Sequence, residues 1–202
     1  MSEKVGGITE SDVTLAQASP ARSLEESMLA LLRDADQTLE AAEQATRDLD
    51  AVVDLPNVQS INFREQESSF LCGMAAALVS KTGKVGFVGG MDIPLIRKFA
   101  LGYTEGVKFV NPSAEVFQNM TGTTPAAWGD PTKGAELAKS QFGRGADVIF
   151  HAAGATGIGV MQAAKDAGKL SIGCDSNQNY LHPGSVLTSA VKGVSVAVYK
   201  AF

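Results

Sequence analysis

Short apolar segments alternate with longer amphipathic segments throughout residues 57–202, and this alternation constrains the fold more than any other feature. Runs rich in Val, Ile and Phe are typical of strands, and the segments between them are long enough for helices. Strands separated by helices pair in parallel through right-handed crossovers. The sequence therefore predicts an α/β domain whose parallel sheet is flanked by helices. The predicted strands are 58–63, 84–88, 114–118, 147–150, 170–173 and 185–189, and the predicted helices are 65–81, 93–109, 131–142, 156–167 and 194–202.

The first 56 residues differ from the rest in charge. They carry four basic and twelve acidic side chains, a net charge of −8, so the total of −5 leaves +3 for residues 57–202. Residues 1–22 predict a flexible arm. Residues 23–56 predict an acidic amphipathic helix, with Ser23 as its N-cap and an apolar stripe that repeats every seven residues. Because a long helix is marginal in water without packing, it folds either onto its own domain or against a partner, and both remain open.

Several classes of protein are disfavoured. The N-terminus has no basic segment followed by an apolar one, which predicts no secretory signal and a cytoplasmic location. The apolar stretch 70–79 is too short to span a bilayer, so no transmembrane segment is predicted. The mildly basic domain lacks the basic stripe that nucleic acid requires. Cys72 and Cys174 follow no metal or redox spacing, which predicts two buried apolar side chains and no metal site.

Glycine-rich or polar segments follow four predicted strands, at 89–92, 119–130, 151–159 and 174–179. Ligands of open α/β sheets bind outside the carboxyl ends of the strands, so these loops predict a ligand crevice. The alternative, that these glycines only form tight turns, stays open. The glycine spacing is not the dinucleotide fingerprint, and no Walker-type Lys-Ser/Thr pair occurs, so no cofactor is predicted. Neither His151 nor His182 has a nucleophile at motif spacing, which predicts a protein that is not an enzyme.

Four segments of the sequence are distinctive: VQSINFREQESSFL from Val58, KVGFVGGMDIPLIRKF from Lys84, GADVIF from Gly145 and DSNQ from Asp175. They resemble the basic membrane protein family of PnrA-like, type I periplasmic solute-binding proteins of ABC transporters. The resemblance covers residues 57–202 and implies one flavodoxin-like lobe of a two-lobed protein that binds purine nucleosides.

The resemblance also implies a set of ligand-binding residues. Phe150 would stack on the base, and Asp175 and Lys192 would bind the ribose hydroxyls. This matches what a base and a sugar need, an aromatic face and a charged acceptor and donor. The remaining residues, Gly90, Met91 and Gly154, would line the wall. Each also has a plainer interpretation: Phe150 as core, Asp175 as a turn residue and Lys192 as a surface charge.

Residues 1–56 contain no counterpart of the family's first lobe, which brings the opposing aromatic ring and the residue that reads the base. The sequence thus leaves two functions open. The first is a truncated, cytoplasmic relative of a nucleoside-binding protein, acting as a non-enzymatic interaction or scaffold module that self-associates or binds a protein partner through its N-terminal helix. The second is a purine nucleoside-binding protein whose site is completed by a second subunit.

Overall fold

The computed structural model describes residues 61–201, which form a parallel sheet covered by helices. No helix in this range is both long enough and apolar enough to cross a membrane. The strands are β1 (Lys84–Met91), β2 (Glu115–Gly122), β3 (Val148–Ala152), β4 (Leu170–Asp175) and β5 (Val186–Val191). The helices are α1 (Glu65–Val79), α2 (Pro94–Val110), α3 (Pro131–Gly143), α4 (Thr156–Asp166) and α5 (Val194–Ala201), and a 3-10 turn spans Pro125–Trp128.

All strands pair in parallel, in the order β2-β1-β3-β4-β5. This is the flavodoxin-like order of doubly wound sheets, and it confirms the predicted α/β class. After each of the first four strands, a helix or a turn carries the chain back to the end of the sheet where the next strand begins. The carboxyl ends of all strands therefore lie along the same side of the sheet, called the carboxyl edge below. The predicted N-terminal arm and acidic helix lie outside the described residues.

Two apolar layers hold the helices on the sheet. Phe87 of β1 and Phe150 of β3 pack with α1 and α2 on one face, whereas Val88 and Ile149 pack with α3 and α4 on the other. Successive side chains of a strand point to opposite faces, which explains why neighbouring residues enter different layers. Cys72 and Cys174 are free and buried in the first layer, as predicted.

Several segments depart from the predicted boundaries, and one of them is β1, which was predicted to end at residue 88 but continues to Met91. Residues 61–63, the described part of the predicted strand 58–63, form no strand; instead the ring of Phe63 lies 5.5 Å from the Lys192 ammonium. The predicted loop 119–130 is partly strand, because β2 continues to Gly122 and pairs there with Met91. The neighbouring strand β1 offers a full ladder of hydrogen bonds, and this stabilises the extension of β2 as far as its terminal glycine.

Candidate ligand-binding site

The strand order places a topological switch point between β1 and β3, because β2 pairs with the other side of β1. Crevices at such points bind ligands in doubly wound folds. At this point lies the ring of Trp128, so close to Gly90 that a Cβ on Gly90 would overlap it. Gly154, which follows β3, has a φ of 56°, and a Cβ there would lie 3.7 Å from the same ring. Position 90 therefore requires a residue without a side chain, and glycine at position 154 avoids the backbone strain of a positive φ.

The 3-10 turn that carries Trp128 is fixed between two helix N-termini. The Thr156 hydroxyl at the start of α4 donates to the carbonyl of Ala127 at 2.8 Å and accepts from the amide of Asp130, also at 2.8 Å. The carboxylate of Asp130 in turn accepts from the amide of Lys133 at 2.8 Å and caps α3. Trp128 is thus held by a bonded framework and is half-buried.

A charged cluster lies at the carboxyl ends of β4 and β5. Asp175 ends β4 in the left-handed region, with a φ of 65°, and Lys192 follows β5 directly. The amide of Lys192 donates to the carbonyl of Asp175 at 2.9 Å. The Lys192 ammonium lies 3.3 Å from the Asp175 carboxylate and 3.2 Å from the carboxylate of Glu65, the first residue of α1. Strained backbone of this kind is concentrated at functional sites.

The three charges differ in their exposure to water. The side chain of Asp175 is 58% exposed and that of Lys192 is 19% exposed, whereas Glu65 is only 4% exposed. Burial alone would lower the pKa of Lys192, but the nearby carboxylates of Asp175 and Glu65 outweigh it and raise that pKa. The rings of Phe63 and Phe99 also lie 5.5 and 5.1 Å from the ammonium. Lys192 is therefore held as a cation, beside two carboxylates and two aromatic rings.

His151 lies near the carboxyl end of β3, between the two parts of the edge, and is buried. A Cβ on Gly157 would overlap its ring, so the imidazole packs directly beneath the first turn of α4. Among residues 61–201, neither ring nitrogen makes a hydrogen bond of good geometry, although the Gln178 side chain lies near enough to favour the protonated ring. Burial lowers the pKa of His151 to about 4, which keeps the ring neutral near neutral pH. The imidazole is therefore a buried packing element beneath the carboxyl edge of the sheet.

Four of the predicted site residues come together in two pairs. Gly90 and Gly154 contact Trp128, and Asp175 pairs with Lys192. Met91 is half-buried at the end of β1, and its role as a wall residue stays a prediction.

Phe150 differs from the expectation, because its ring is fully buried. The ring centroid lies 5.6 Å from that of Phe87 and 5.4 Å from that of Tyr103, inside the layer that α1 and α2 cover. The stacking face implied at Phe150 is therefore closed in this structure. The cause is the alternation of side chains along β3. It turns residue 150 towards α1 and α2 and residue 151 towards α4, on the opposite face of the sheet.

Two residues of the site, Trp128 and Glu65, were not among the site residues predicted from the sequence. Trp128 is the single tryptophan of the chain and stands in a polar segment after a predicted strand, which is a usable signal for a ligand contact. Glu65 carries no such signal, since first-turn carboxylates are common at helix N-termini. Its contact with Lys192 joins residues that are far apart in the sequence and depends on where α1 packs relative to β5.

Comparisons with known proteins agree with this geometry. A family model described as ABC transporter substrate-binding protein PnrA-like matches residues 38–202. Basic membrane protein D of Borreliella burgdorferi is 42% identical over 145 residues, which is 71% of this chain and 41% of that protein. The CD4+ T-cell-stimulating antigen of Listeria monocytogenes is 40% identical over 167 residues, 74% of this chain and 45% of that protein.

A crystal structure of ABC transporter solute-binding proteins from Aeropyrum pernix K1 superposes with a TM-score of 0.62 at 36% identity, over 69% of this chain and 41% of that one. The chain thus spans less than half the length of these curated and structural relatives. The shared part is the parallel sheet with its flanking helices.

Proposed function

The chain belongs to the PnrA-like family of ABC transporter substrate-binding proteins, and from this premise we propose that residues 61–201 are one lobe of a small-molecule binding site. The proposed ligand is a purine nucleoside, which the lobe binds without converting it. The ligand lies along the carboxyl edge of β1, β3, β4 and β5. A second lobe or a second subunit completes the site from the other side.

The observation that carries the proposal is the pair formed by Asp175 and Lys192. Within the part of the chain that the structure describes, two carboxylates lie within 3.3 Å of the Lys192 ammonium. An ammonium has three N–H donors, so one can still donate to a ligand oxygen. The exposed Asp175 carboxylate offers acceptors at the same place. Adjacent hydroxyl groups, as on a ribose, match one charged donor beside one charged acceptor.

Trp128 supports an aromatic moiety in the same ligand. Its ring lies at the β1–β3 end of the edge, whereas the charged pair lies at the β4–β5 end. Neighbouring strands are about 4.8 Å apart, so the two parts are separated by roughly 10 Å along the edge. A base on the indole face and a sugar at Lys192 would bridge this distance. In this arrangement Trp128 takes the role that the resemblance implied for Phe150.

A thermal-shift titration followed by calorimetry tests the proposal, with inosine, guanosine, adenosine and cytidine as ligands. A ligand that binds only the folded state raises the melting temperature with its concentration. We expect purine nucleosides to do so and Asp175→Asn to reduce the response about tenfold or more, because a charged acceptor is lost. Asp166→Asn, at the far end of α4, is the matched control and should respond like the wild type. Equal responses of both variants, or none with any nucleoside, would contradict the proposal.

A second candidate function is protein interaction through self-association. Leu71 and Leu78 lie two turns apart on one face of α1 and are 65% and 71% exposed, and Tyr199 of α5 is 85% exposed. Exposed apolar patches of this kind are typical of interaction surfaces. Sedimentation velocity of the wild type and of Leu71→Lys/Leu78→Lys tests it. A concentration-dependent dimer that the double variant abolishes is expected, and a monomer at all concentrations would exclude it.

A further inference from the structure

We infer that Glu65 is a positioning residue for this site: it fixes the ammonium of Lys192 beside Asp175, and it makes the charge of the cluster negative. Glu65 stands in the first turn of α1, more than one hundred positions before Asp175 and Lys192 in the sequence. The part that concerns the ligand rests on the proposed function, whereas the part that concerns Lys192 rests on the described contacts alone.

The unequal burial of the two carboxylates assigns them different roles. Their distances to the Lys192 ammonium are nearly equal, 3.2 Å from Glu65 and 3.3 Å from Asp175. Water screens the interaction with the exposed Asp175, but it screens the interaction with the buried Glu65 much less. Glu65 is therefore the stronger anchor, and Asp175 keeps lone pairs that face solvent and can accept from a ligand.

The surroundings of the ammonium make a second anchor necessary. Phe63 and Phe99 flank it, and its side chain has little exposed surface left. Removing a lysine from water costs free energy unless its charge is paired. With Asp175 alone, Lys192 would gain more by extending into solvent than by staying between the rings. The Glu65 carboxylate offsets this cost and keeps the side chain folded against the edge of the sheet.

The hydrogen bonding of the buried Glu65 carboxylate is incomplete, which stability alone would not favour. Among residues 61–201, its Oε1 pairs with Lys192, but no donor reaches its buried Oε2. A buried carboxylate oxygen without a partner is unfavourable, and an apolar side chain of similar size would not incur this cost. The retained charge is explained if its purpose is to hold Lys192.

The charge balance has a consequence for the ligand. Two carboxylates and one ammonium give the cluster a net charge of −1. A neutral ligand with hydroxyl donors is compatible with this field, whereas a phosphate group placed there is repelled. Glu65 thereby contributes to the choice of a nucleoside over its phosphorylated form.

Competitive acetylation read by peptide mass spectrometry, over an alkaline pH series, measures the titration and reactivity of each lysine without any ligand. In the wild type, we expect Lys192 to react more slowly than the exposed Lys133 and with a raised pKa. Glu65→Gln should lower the pKa of Lys192 and increase its reactivity several-fold. Glu67→Gln is the matched control, because Glu67 is exposed in the same helical turn and pairs with Arg64 at 2.9 Å. An unchanged Lys192 in folded Glu65→Gln overturns the inference.

The comparison of Lys192 with Lys133 in the wild type and a titration with inosine and inosine monophosphate complete the test. If Glu65→Gln does not fold, a wild-type Lys192 as reactive as Lys133 would overturn the inference by itself, and a protected one would support it. Titration with inosine and inosine monophosphate then tests selectivity: Glu65→Gln should shift the affinity ratio towards the monophosphate by about fivefold, and Glu67→Gln should not. Absence of nucleoside binding would overturn the proposed function while leaving the Lys192 result intact. Binding with an unchanged ratio and an unchanged Lys192 would overturn this inference alone.

Discussion

Replacing His151 with glutamine should remove a large part of the acid-dependent loss of stability of this protein. The folded state holds the imidazole neutral, with a pKa lowered from 6.5 to about 4 by burial. The unfolded state therefore binds protons that the folded state does not, once the pH falls below 6.5. The contribution of His151 to stability is complete above that pH and is lost as the pH falls towards 4.

The magnitude follows from the two pKa values. Linkage gives a loss of about 2 kcal/mol by pH 5 and about 3 kcal/mol by pH 4 from this group alone. A loss of that size is a substantial part of the free energy of unfolding of a small domain, which is roughly 5–15 kcal/mol. Glutamine cannot titrate, so this part of the pH dependence disappears in the variant. Its stability at neutral pH is expected to fall, because glutamine does not fill the flat space beneath Gly157.

Urea unfolding at a series of pH values measures this effect, with the fluorescence of the single tryptophan, Trp128, as the probe. The informative quantity is the difference in free energy between wild type and variant at each pH, since carboxylates common to both proteins cancel. Asp175 interacts electrostatically with His151, so the pair is also compared in an Asp175→Asn background. Gly143→Ala, which changes no titratable group and whose Cβ meets no atom, serves as the control and should run parallel to the wild type. Parallel profiles for His151→Gln would refute the reasoning.

Three other substitutions or treatments give independent tests. Asp175→Ala should destabilise the fold by about 1–2 kcal/mol and Asp175→Gly by less, because only glycine adopts a positive φ without strain; urea unfolding decides this. Gly106→Ala should cost about 2 kcal/mol or more, since a Cβ there overlaps a backbone carbonyl of α1, whereas Gly143→Ala meets no atom and should be close to neutral in the same assay. Cys72 and Cys174 should resist thiol reagents until the protein unfolds, because burial raises the pKa of Cys72 to about 11 and that of Cys174 further; rapid labelling of folded protein would contradict this.

Local signals in the sequence predicted the described strands and α-helices, but they also predicted a strand at 58–63 that residues 61–63 do not form. Pro94 and Pro131 stand at the starts of α2 and α3, as expected of residues that favour the first helical turn. The continuous apolar run at 148–150 has the composition of a strand buried on both faces, and β3 is such a strand. The ends of β1 and β2 were not predictable in this way. Their glycines and polar residues are strand only because the two strands pair with each other.

Part of the site was predictable from the family resemblance, which implied Asp175 and Lys192. Asp175 ends β4 and Lys192 directly follows β5, so the observed parallel register of these strands brings the two residues together. Phe150 shows the opposite case. It lies near the carboxyl end of β3, as the prediction required, but the alternation of side chains along the strand turns its ring into the layer that α1 and α2 cover. Glu65 lay beyond sequence reasoning, because its contact with Lys192 depends on where α1 packs relative to β5.

The division of the carboxyl edge restricts what a ligand must contain. The aromatic ring of Trp128 lies at the switch point, and the charged groups lie two strands away, with the buried His151 between them. A molecule with only a ring or only hydroxyl groups contacts one part and leaves the other hydrated. Because polar contacts in a crevice open to water are weak, each part alone gives little affinity. A ligand that joins a planar ring to a hydroxylated moiety engages both parts for one loss of translational freedom, and this favours a nucleoside over a free base or a simple sugar.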